Sequence, residues 1–161
     1  MLKGCDNMPK EIERKFLVKN NEYKRKAKGV LYIQGYIDTK PQKTIRVRIV
    51  ESKGFLTIKS KKIGIQRDEY QYEIPLEDAV EMMENLCKKP LIEKIRYEYK
   101  FENHVWEIDE FRGENEGLII AEIELDDEDE VYLKPDWVGE EVTYDTRYNN
   151  SSLIKNPYRK W

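Results

Sequence analysis

The stretch IEKIRYEYKFENHVWEIDEF, residues 92–111, contains the pattern from which the fold can be predicted. Side chains two residues apart in a β-strand point to the same face. Lys94 and Arg96 therefore share one face of the first half, and Glu107 and Asp109 share one face of the second half. Polar residues separate the halves, as is typical of a tight turn. The stretch predicts two antiparallel strands, each with a charged face and an apolar face.

The same two-residue period recurs along the chain and predicts eight strands. They cover residues 11–18, 30–38, 44–50, 54–61, 66–74, 92–101, 104–111 and 118–125. An amphipathic helix is predicted at 75–88, with Pro75 as its first residue, and two weaker helices are predicted near 126–134 and 149–156. Short connections favour antiparallel neighbours. The predicted fold class is α+β, mainly β: a closed eight-stranded antiparallel β-barrel (a tunnel) with peripheral helices.

The length of 161 residues fits a single domain, which is predicted to cover residues 9–161. Residues 1–8 carry no periodic pattern and are expected to form a flexible N-terminal extension. The chain has two cysteines and no signal-peptide pattern, which predicts a cytoplasmic protein with free thiols. No segment approaches the roughly 20 apolar residues that span a bilayer, so no membrane association is expected. A monomer or a homodimer is expected.

The charge totals narrow the classes of function. Lys and Arg number 29 against 32 Asp and Glu, so 38% of residues are charged while the net charge is only −3. Without a basic excess, nucleic acid is not an expected partner. The single histidine rules out multi-histidine metal sites and disfavours Ser/His or Cys/His catalysis. The remaining question is where so many charges lie.

The two signs of charge are segregated by strand. Acidic residues gather on the first, seventh and eighth predicted strands, and basic residues gather on the third, fourth and sixth. One interpretation is that these are solvated outer faces of a half-buried sheet. The other is that they line the inside of the barrel, where every ion needs a partner. A chamber with both signs fits a polyphosphate accompanied by a divalent metal, since carboxylates prefer Mg²⁺ or Mn²⁺ and arginines grip phosphate.

Several short motifs occur in a fixed order over about residues 9–155. They are Glu11-x-Glu13-x-Lys15, Gln34-Gly35-Tyr36, Arg46-x-Arg48, Lys59-x-Lys61, Glu69 with Glu73, Glu93-Lys94-x-Arg96-Tyr97, Glu107-x-Asp109, Glu122-x-Glu124 and Asp145-x-Arg147-Tyr148. By these motifs the sequence resembles the CYTH superfamily, the triphosphate tunnel metalloenzymes, and within it the bacterial tripolyphosphatase-type members.

The resemblance implies a closed tunnel, a small-molecule triphosphate substrate and a Mg²⁺ or Mn²⁺ cofactor. It implies that Glu11, Glu13 and Glu124 bind the metal, with Glu122 as a supporting carboxylate. The implied phosphate-binding residues are Lys15, Arg46, Arg48, Lys59, Lys61, Lys94, Arg96 and Arg147. Lys61 and Arg96 have an alternative role, because a cation can instead neutralise a neighbouring carboxylate.

The resemblance also implies that Tyr36 and Lys94 place or activate the attacking water, although Tyr36 can equally be a packing residue. Finer roles for Glu69, Glu73, Glu107, Asp109 and Asp145 stay open. Trp137 lies in a segment, residues 135–139, that is interpreted either as packing or as a loop closing one tunnel end.

Three functions remain in view. The favoured one is metal-dependent hydrolysis of the terminal phosphate of inorganic tripolyphosphate, of nucleoside triphosphates, or of both. The alternatives are a class IV-type adenylyl cyclase and a non-catalytic polyphosphate- or nucleotide-binding protein. The paired acids, Glu11 with Glu13 and Glu122 with Glu124, argue against simple anion binding, because carboxylates oppose it unless a metal lies between them and the anion.

Overall fold

The computed structural model describes residues 10–39 and 43–161, so the predicted extension at residues 1–8 lies outside the described residues. The strands are β1 (Lys10–Val18), β2 (Gly29–Ile37), β3 (Thr44–Val50), β4 (Lys53–Lys59), β5 (Gln66–Ile74), β6 (Ile92–Phe101), β7 (His104–Phe111), β8 (Ile119–Glu124) and β9 (Val138–Glu141). The α-helices are α1 (Leu76–Asn85) and α2 (Asn150–Lys155), and 3₁₀ helices cover Glu22–Arg25, Gly113–Asn115, Thr146–Tyr148 and Tyr158–Lys160. None of these helices is both long and apolar enough to cross a membrane.

The strands form one antiparallel sheet that closes on itself. Their order is β5-β4-β3-β2-β6-β7-β8-β1, and β1 pairs with β5 to complete the ring. The closing pairs run from Lys10 opposite Asp68 to Ile12 opposite Gln66. The predicted eight-stranded antiparallel barrel is confirmed. β9 is an additional strand that the two-residue period did not predict, and it pairs with the second half of β1.

The charged strand faces point into the barrel, and the apolar faces point outward beneath other segments. On β8, Glu122 points inward, whereas its neighbours Ala121 and Ile123 are fully buried on the outside. Ile123 belongs to an outer apolar cluster that also contains Phe16, Trp106 and partly buried Tyr132. The interpretation of the charged faces as solvated outer faces is therefore wrong.

Helix α1 covers another part of the outer surface. Its residues Ala79 and Met83 pack with Val47 of β3 in a second apolar cluster. The helix approaches the sheet closely at Gly54, where a Cβ atom would lie 2.7 Å from the Cβ of Ala79. Glycine is required there because any side chain would push the helix away. The helix is shorter than the predicted 75–88, and Pro75 caps it rather than starting it.

The predicted acidic helix at 126–134 is wrong, whereas the predicted helix at 149–156 is confirmed as α2. Like charges one helical turn apart repel each other, and acids in this segment bind backbone amides instead. The Glu130 carboxylate accepts a hydrogen bond from the Asp126 amide at 2.6 Å, and the Asp127 carboxylate accepts one from the Asp129 amide at 2.9 Å. The segment forms turns over the outer apolar cluster.

Trp137 packs on the outside of the barrel, so the hypothesis that it closes a tunnel end is wrong. It is 2% exposed, and its ring contacts those of Tyr23, Tyr99 and Trp106 at centroid distances of 5.6, 5.4 and 5.9 Å. The edge-to-face geometry of these contacts is favourable for aromatic rings. Trp137 therefore stabilises the outer apolar cluster.

We expect Ile123→Ala to lower the free energy of unfolding by about 2–5 kcal/mol, because it opens a cavity in the outer cluster. Urea denaturation measures this as a lower midpoint with an unchanged slope. Val131→Ala is the control, since Val131 is 86% exposed and its truncation should change stability by no more than about 0.5 kcal/mol. Equal effects of the two substitutions would contradict the outward placement of the apolar core.

Candidate active site

The barrel encloses a cavity of about 540 Å³ with a mainly charged lining. Most residues that the sequence motifs pointed to contribute to this lining. They are Glu11, Glu13, Lys15, Tyr36, Arg46, Arg48, Lys59, Arg96, Glu122 and Glu124. The inward alternation of the strands brings them together from distant parts of the chain.

Arg46 and Arg48 on β3 hold positive charge that no carboxylate neutralises. Neither has an ion-pair partner among residues 10–39 and 43–161, and their hydrogen bonds go to neutral groups on β4 and β5. The Nη2 atom of Arg48 donates to Oε1 of Gln71 at 2.9 Å, and Nη2 of Arg46 donates to Oγ1 of Thr57 at 3.2 Å. Burial and the nearby charge of Arg46 lower the pKa of Arg48 to about 10, so Arg48 remains charged at neutral pH.

The cations near β1 are paired with acids. The Lys15 ammonium lies 2.8 Å from a Glu13 carboxylate oxygen and also bonds to Glu122. The Lys59 ammonium donates to Glu11 at 2.7 Å, and the Arg67 Nε atom donates to the other Glu11 oxygen at 2.6 Å. This part of the cavity is neutralised by its own side chains.

Arg96 is held by acids on two strands. It makes two 2.7 Å hydrogen bonds to Asp109, bonds to Glu107, and reaches Glu122 at 3.2 Å. Asp109 is fully buried, which raises its pKa, but the charges of Arg96 and Lys94 outweigh burial and hold that pKa below its usual range. Carboxylates therefore largely neutralise the charge of Arg96 in the ligand-free protein, and its role as a phosphate ligand remains a prediction.

Lys94 lies behind the cavity wall rather than in it. It is 1% exposed, and its ammonium donates a hydrogen bond to Asp109. Burial, together with the charge of Arg96, lowers the pKa of Lys94 to about 8. Tyr36 does line the cavity, and its hydroxyl accepts a 2.8 Å hydrogen bond from Nε2 of Gln34. Burial raises the pKa of Tyr36, which keeps the phenol neutral.

Glu124 lies among other carboxylates at the acidic side of the cavity. Partial burial and then the charges of Glu11, Glu107 and Glu13 raise its pKa to about 7. The carboxylate oxygens of these residues suit a hard divalent cation. The raised pKa of Glu124 shows that this side of the cavity lacks a positive charge close to its carboxylate. Across the described residues, however, no group of three or more His, Cys, Asp or Glu side chains forms a ready metal site. Glu11, Glu13 and Glu122 are bound to cations instead.

The structure does not bring Lys61 or Arg147 to the cavity. The sequence pattern placed Lys61 on the same strand face as Lys59. Because β4 ends at Lys59, the alternation does not continue to Lys61, and Lys62 lines the cavity instead. Arg147 is bound to Asp145 through several hydrogen bonds of 2.6–3.0 Å, and its guanidinium lies 5.1 Å from the Trp161 ring. Both remain predictions as phosphate ligands.

Other lining residues were not singled out from the sequence. They are Lys62, Arg67, Gln71 and the rim residues Lys43, Lys88 and Lys155. Arg67 and Gln71 share the inward parity of β5, so strand alternation gave a signal for them. Lys62 gave none, because it follows the end of a strand. Among the acids left open, Glu69 and Glu107 line the cavity, whereas Glu73 binds Lys53 at the surface.

Comparison with known proteins gives consistent matches. The model of the CYTH domain family matches residues 9–158. The chain is 58% identical over 154 residues to the inorganic triphosphatase of Acetivibrio thermocellus, covering 96% of this chain and 99% of that protein. It is 36% identical over 148 residues to the inorganic triphosphatase of Nitrosomonas europaea, covering 89% and 95%. A crystal structure of an inorganic triphosphatase superposes with a TM-score of 0.62 at 34% identity, covering 89% of this chain and 93% of that one.

The raised pKa of Glu124 predicts a pH-dependent stability difference in the metal-free protein. The folded state holds the Glu124 proton up to about pH 7, whereas the unfolded chain releases it near pH 4.5. Wild-type stability should therefore fall, relative to Glu124→Gln, as the pH rises from about 4.5 to about 7, and the difference should be constant above that. Solvent reduces its size, because Glu124 is partly exposed.

Thermal unfolding midpoints measured in EDTA across this pH range test the prediction. Glu84→Gln in α1 makes the same change in net charge away from the cavity and serves as the control. A difference between wild type and Glu124→Gln that stays the same at every pH would contradict it.

Proposed function

The chain belongs to the CYTH domain family, and from this premise we propose that it hydrolyses the terminal phosphate of a triphosphate. Inorganic tripolyphosphate is the favoured substrate, and nucleoside triphosphates are the second candidates. Its relatives named inorganic triphosphatase match nearly the full length of the chain, which supports the same activity here. Dependence on a divalent metal is a property of this family.

The observation that carries the proposal is the unneutralised charge of Arg46 and Arg48. Positive charge that is removed from water without a partner is costly. Arg46 is buried, Arg48 is partly buried, and both line a cavity large enough for a small anion. Guanidinium groups bind phosphate oxygens in a planar, two-bond geometry that fixes the anion as well as attracting it. The pair is therefore the anchor that we assign to the phosphate chain.

The carboxylates of Glu11, Glu13, Glu122 and Glu124 are the residues that would hold Mg²⁺ or Mn²⁺. A divalent ion held there would neutralise the carboxylates and would supply positive charge for the negative charge that develops during phosphoryl transfer. This chain contributes the placement: Glu13 and Glu124 lie opposite each other on neighbouring strands, as do Lys15 and Glu122.

The paired cations Lys15, Lys59 and Arg96 are proposed as further phosphate ligands. Each is bound to a carboxylate in the ligand-free protein, so each would exchange that partner for a phosphate oxygen when the substrate binds. Arg96 exchanges least readily, because Asp109 binds it through two hydrogen bonds. Lys61 and Arg147 would have to move to take part.

Tyr36 is proposed to orient the attacking water. Its neutral hydroxyl faces the cavity while Gln34 donates to its oxygen, so the phenolic proton is available for a hydrogen bond to that water. Lys94 has a pKa of about 8 and can lose its proton near neutral pH. Lys94 could contact the attacking water only if its ammonium broke the hydrogen bond to Asp109.

Inorganic tripolyphosphate is favoured because the cavity offers little for a nucleobase. Tyr36 is the sole aromatic residue among the described residues that line the cavity, and the Tyr32 and Phe55 rings beside Arg48 already contact its guanidinium, whose carbon lies 5.4 Å from each ring centroid. We also propose a cytoplasmic location, supported by the free thiol of Cys87.

A panel of substrates tests the proposed function. Purified protein should release phosphate from tripolyphosphate with Mg²⁺ or Mn²⁺ and should lose that activity in EDTA. ATP, GTP and thiamine triphosphate, assayed in parallel, should be hydrolysed more slowly. Formation of cyclic AMP with pyrophosphate would instead indicate a cyclase, and the absence of turnover with every substrate would contradict an enzymatic function.

We expect Arg48→Ala to lower kcat/KM for tripolyphosphate by about 10²–10³-fold, because it removes a preorganised donor to the phosphate chain. Arg159→Ala is the matched control, since it removes a guanidinium whose side chain is 63% exposed at the surface. Steady-state kinetics on both variants decide the point. A wild-type rate for Arg48→Ala would remove Arg48 from the phosphate site.

A further inference from the structure

Gln71 is a neutral residue in an otherwise charged row on the inner face of β5. Arg67 and Glu69, which come before it on the same strand face, also line the cavity, whereas Glu73, two residues after it, lies at the surface and binds Lys53. In register, Arg46 lies opposite Thr57, and Thr57 lies opposite Gln71. Gln71 is thus the residue that faces the two arginines across the strand between them.

One oxygen of Gln71 collects hydrogen bonds from all three neighbours. Its Oε1 atom accepts from Arg48 Nη2 at 2.9 Å, from Thr57 Oγ1 at 3.2 Å and, at the limit of a hydrogen bond, from Arg46 Nη2 at 3.5 Å. A shared acceptor fixes the two guanidiniums relative to each other. Because the acceptor is an amide oxygen, it does so without cancelling their charge.

The two guanidiniums still have unsatisfied donors. The Nε atoms of Arg46 and Arg48 are both buried and have no hydrogen-bond partner. Buried N–H groups without partners are rare in folded proteins and call for an acceptor. The hydrogen bonds of the two guanidiniums are therefore incomplete in the ligand-free protein.

Arg96 shows what an acidic partner does in the same barrel. It is surrounded by Asp109, Glu107 and Glu122, and its charge is neutralised before any ligand binds. Gln71 has nearly the same shape as a glutamate, so a single change from amide to carboxylate at this position would neutralise Arg48 in the same way. The identity of residue 71 therefore controls how much positive charge β3 presents.

We propose that Gln71 is a positioning residue for the phosphate chain: it holds Arg46 and Arg48 in register and, by being neutral, leaves their charge available to the substrate. This inference rests on the proposed function and assigns to that site a residue that determines its affinity for anions.

The test compares Gln71→Glu, which adds charge, with Gln71→Met, which removes the acceptor at similar volume. Glu73→Gln is the control on the same strand, because Glu73 points to solvent and binds Lys53. Binding of tripolyphosphate is measured by calorimetry in EDTA, which does not depend on turnover. We expect affinity to fall about ten-fold or more in Gln71→Glu and less in Gln71→Met, with unchanged thermal unfolding midpoints.

A kinetic readout separates positioning from a general structural effect. In the metal-dependent assay, KM should rise more than kcat falls. If Gln71→Glu fails to fold, Gln71→Met decides the outcome.

Tripolyphosphate affinities of both variants within two-fold of wild type would overturn the inference. If the wild-type protein binds tripolyphosphate but does not hydrolyse it, the proposed function is overturned. The comparison of tripolyphosphate affinities between wild type and the Gln71 variants still decides the role of Gln71. A wild-type protein that does not bind tripolyphosphate would overturn both.

Discussion

The enclosure of ionised side chains inside the barrel is the constraint on which the rest of this structure depends. Removing an ion from water costs several kcal/mol unless another charge or several hydrogen bonds replace the solvent. The network from Lys15 through Glu122 and Arg96 to Asp109 supplies that replacement and joins four strands of the barrel. Because the charged part of the interior is polar, two apolar clusters lie outside the barrel, where α1 and the segment before β9 cover them. A third cluster contains Ile92, Phe111 and Ile120, which share the strand faces of Lys94, Asp109 and Glu122, and it packs against α2.

Carboxylates neutralise the cations on some strands of the barrel but not on others, and this difference determines which walls of the cavity carry a net charge. Near β1, β6 and β7 nearly every cation has a carboxylate, so that side is stable without a ligand. On β3 the arginines are held by neutral groups, namely a hydroxyl, an amide and the Tyr32 and Phe55 rings that contact Arg48. The β3 wall therefore carries positive charge that folding leaves uncompensated. The position of a cation within the ring, rather than the number of basic residues, decides whether a carboxylate neutralises it.

Much of the architecture could be predicted from the sequence, because strand alternation is a local property. It correctly placed Arg46 and Glu122 on charged strand faces, which point inward in the structure, although alternation alone did not decide between the inside and the outside. It could not predict which ions pair, since Lys15 and Glu122 are separated by 107 positions and meet only through strand register. It failed at Lys61 because β4 ends at Lys59, and turns, unlike strands, have no two-residue period. The sequence pattern did not predict β9, because β9 pairs with β1, which lies far from it along the chain.

The internal ion pairs also constrain which ligands the cavity can accept. An anion that bound Lys15 and Lys59 without a metal would leave Glu11 and Glu13 buried without partners. A metal that bound those acids without an anion would leave the two lysines without partners. Each ligand alone therefore breaks ion pairs, and the second ligand compensates for their loss. Under the proposed function, phosphate and divalent metal should bind with positive coupling, and thermodynamic reciprocity makes that coupling equal in both directions. The same pairs that allow the ligand-free barrel to fold thus favour a ligand that carries both signs of charge.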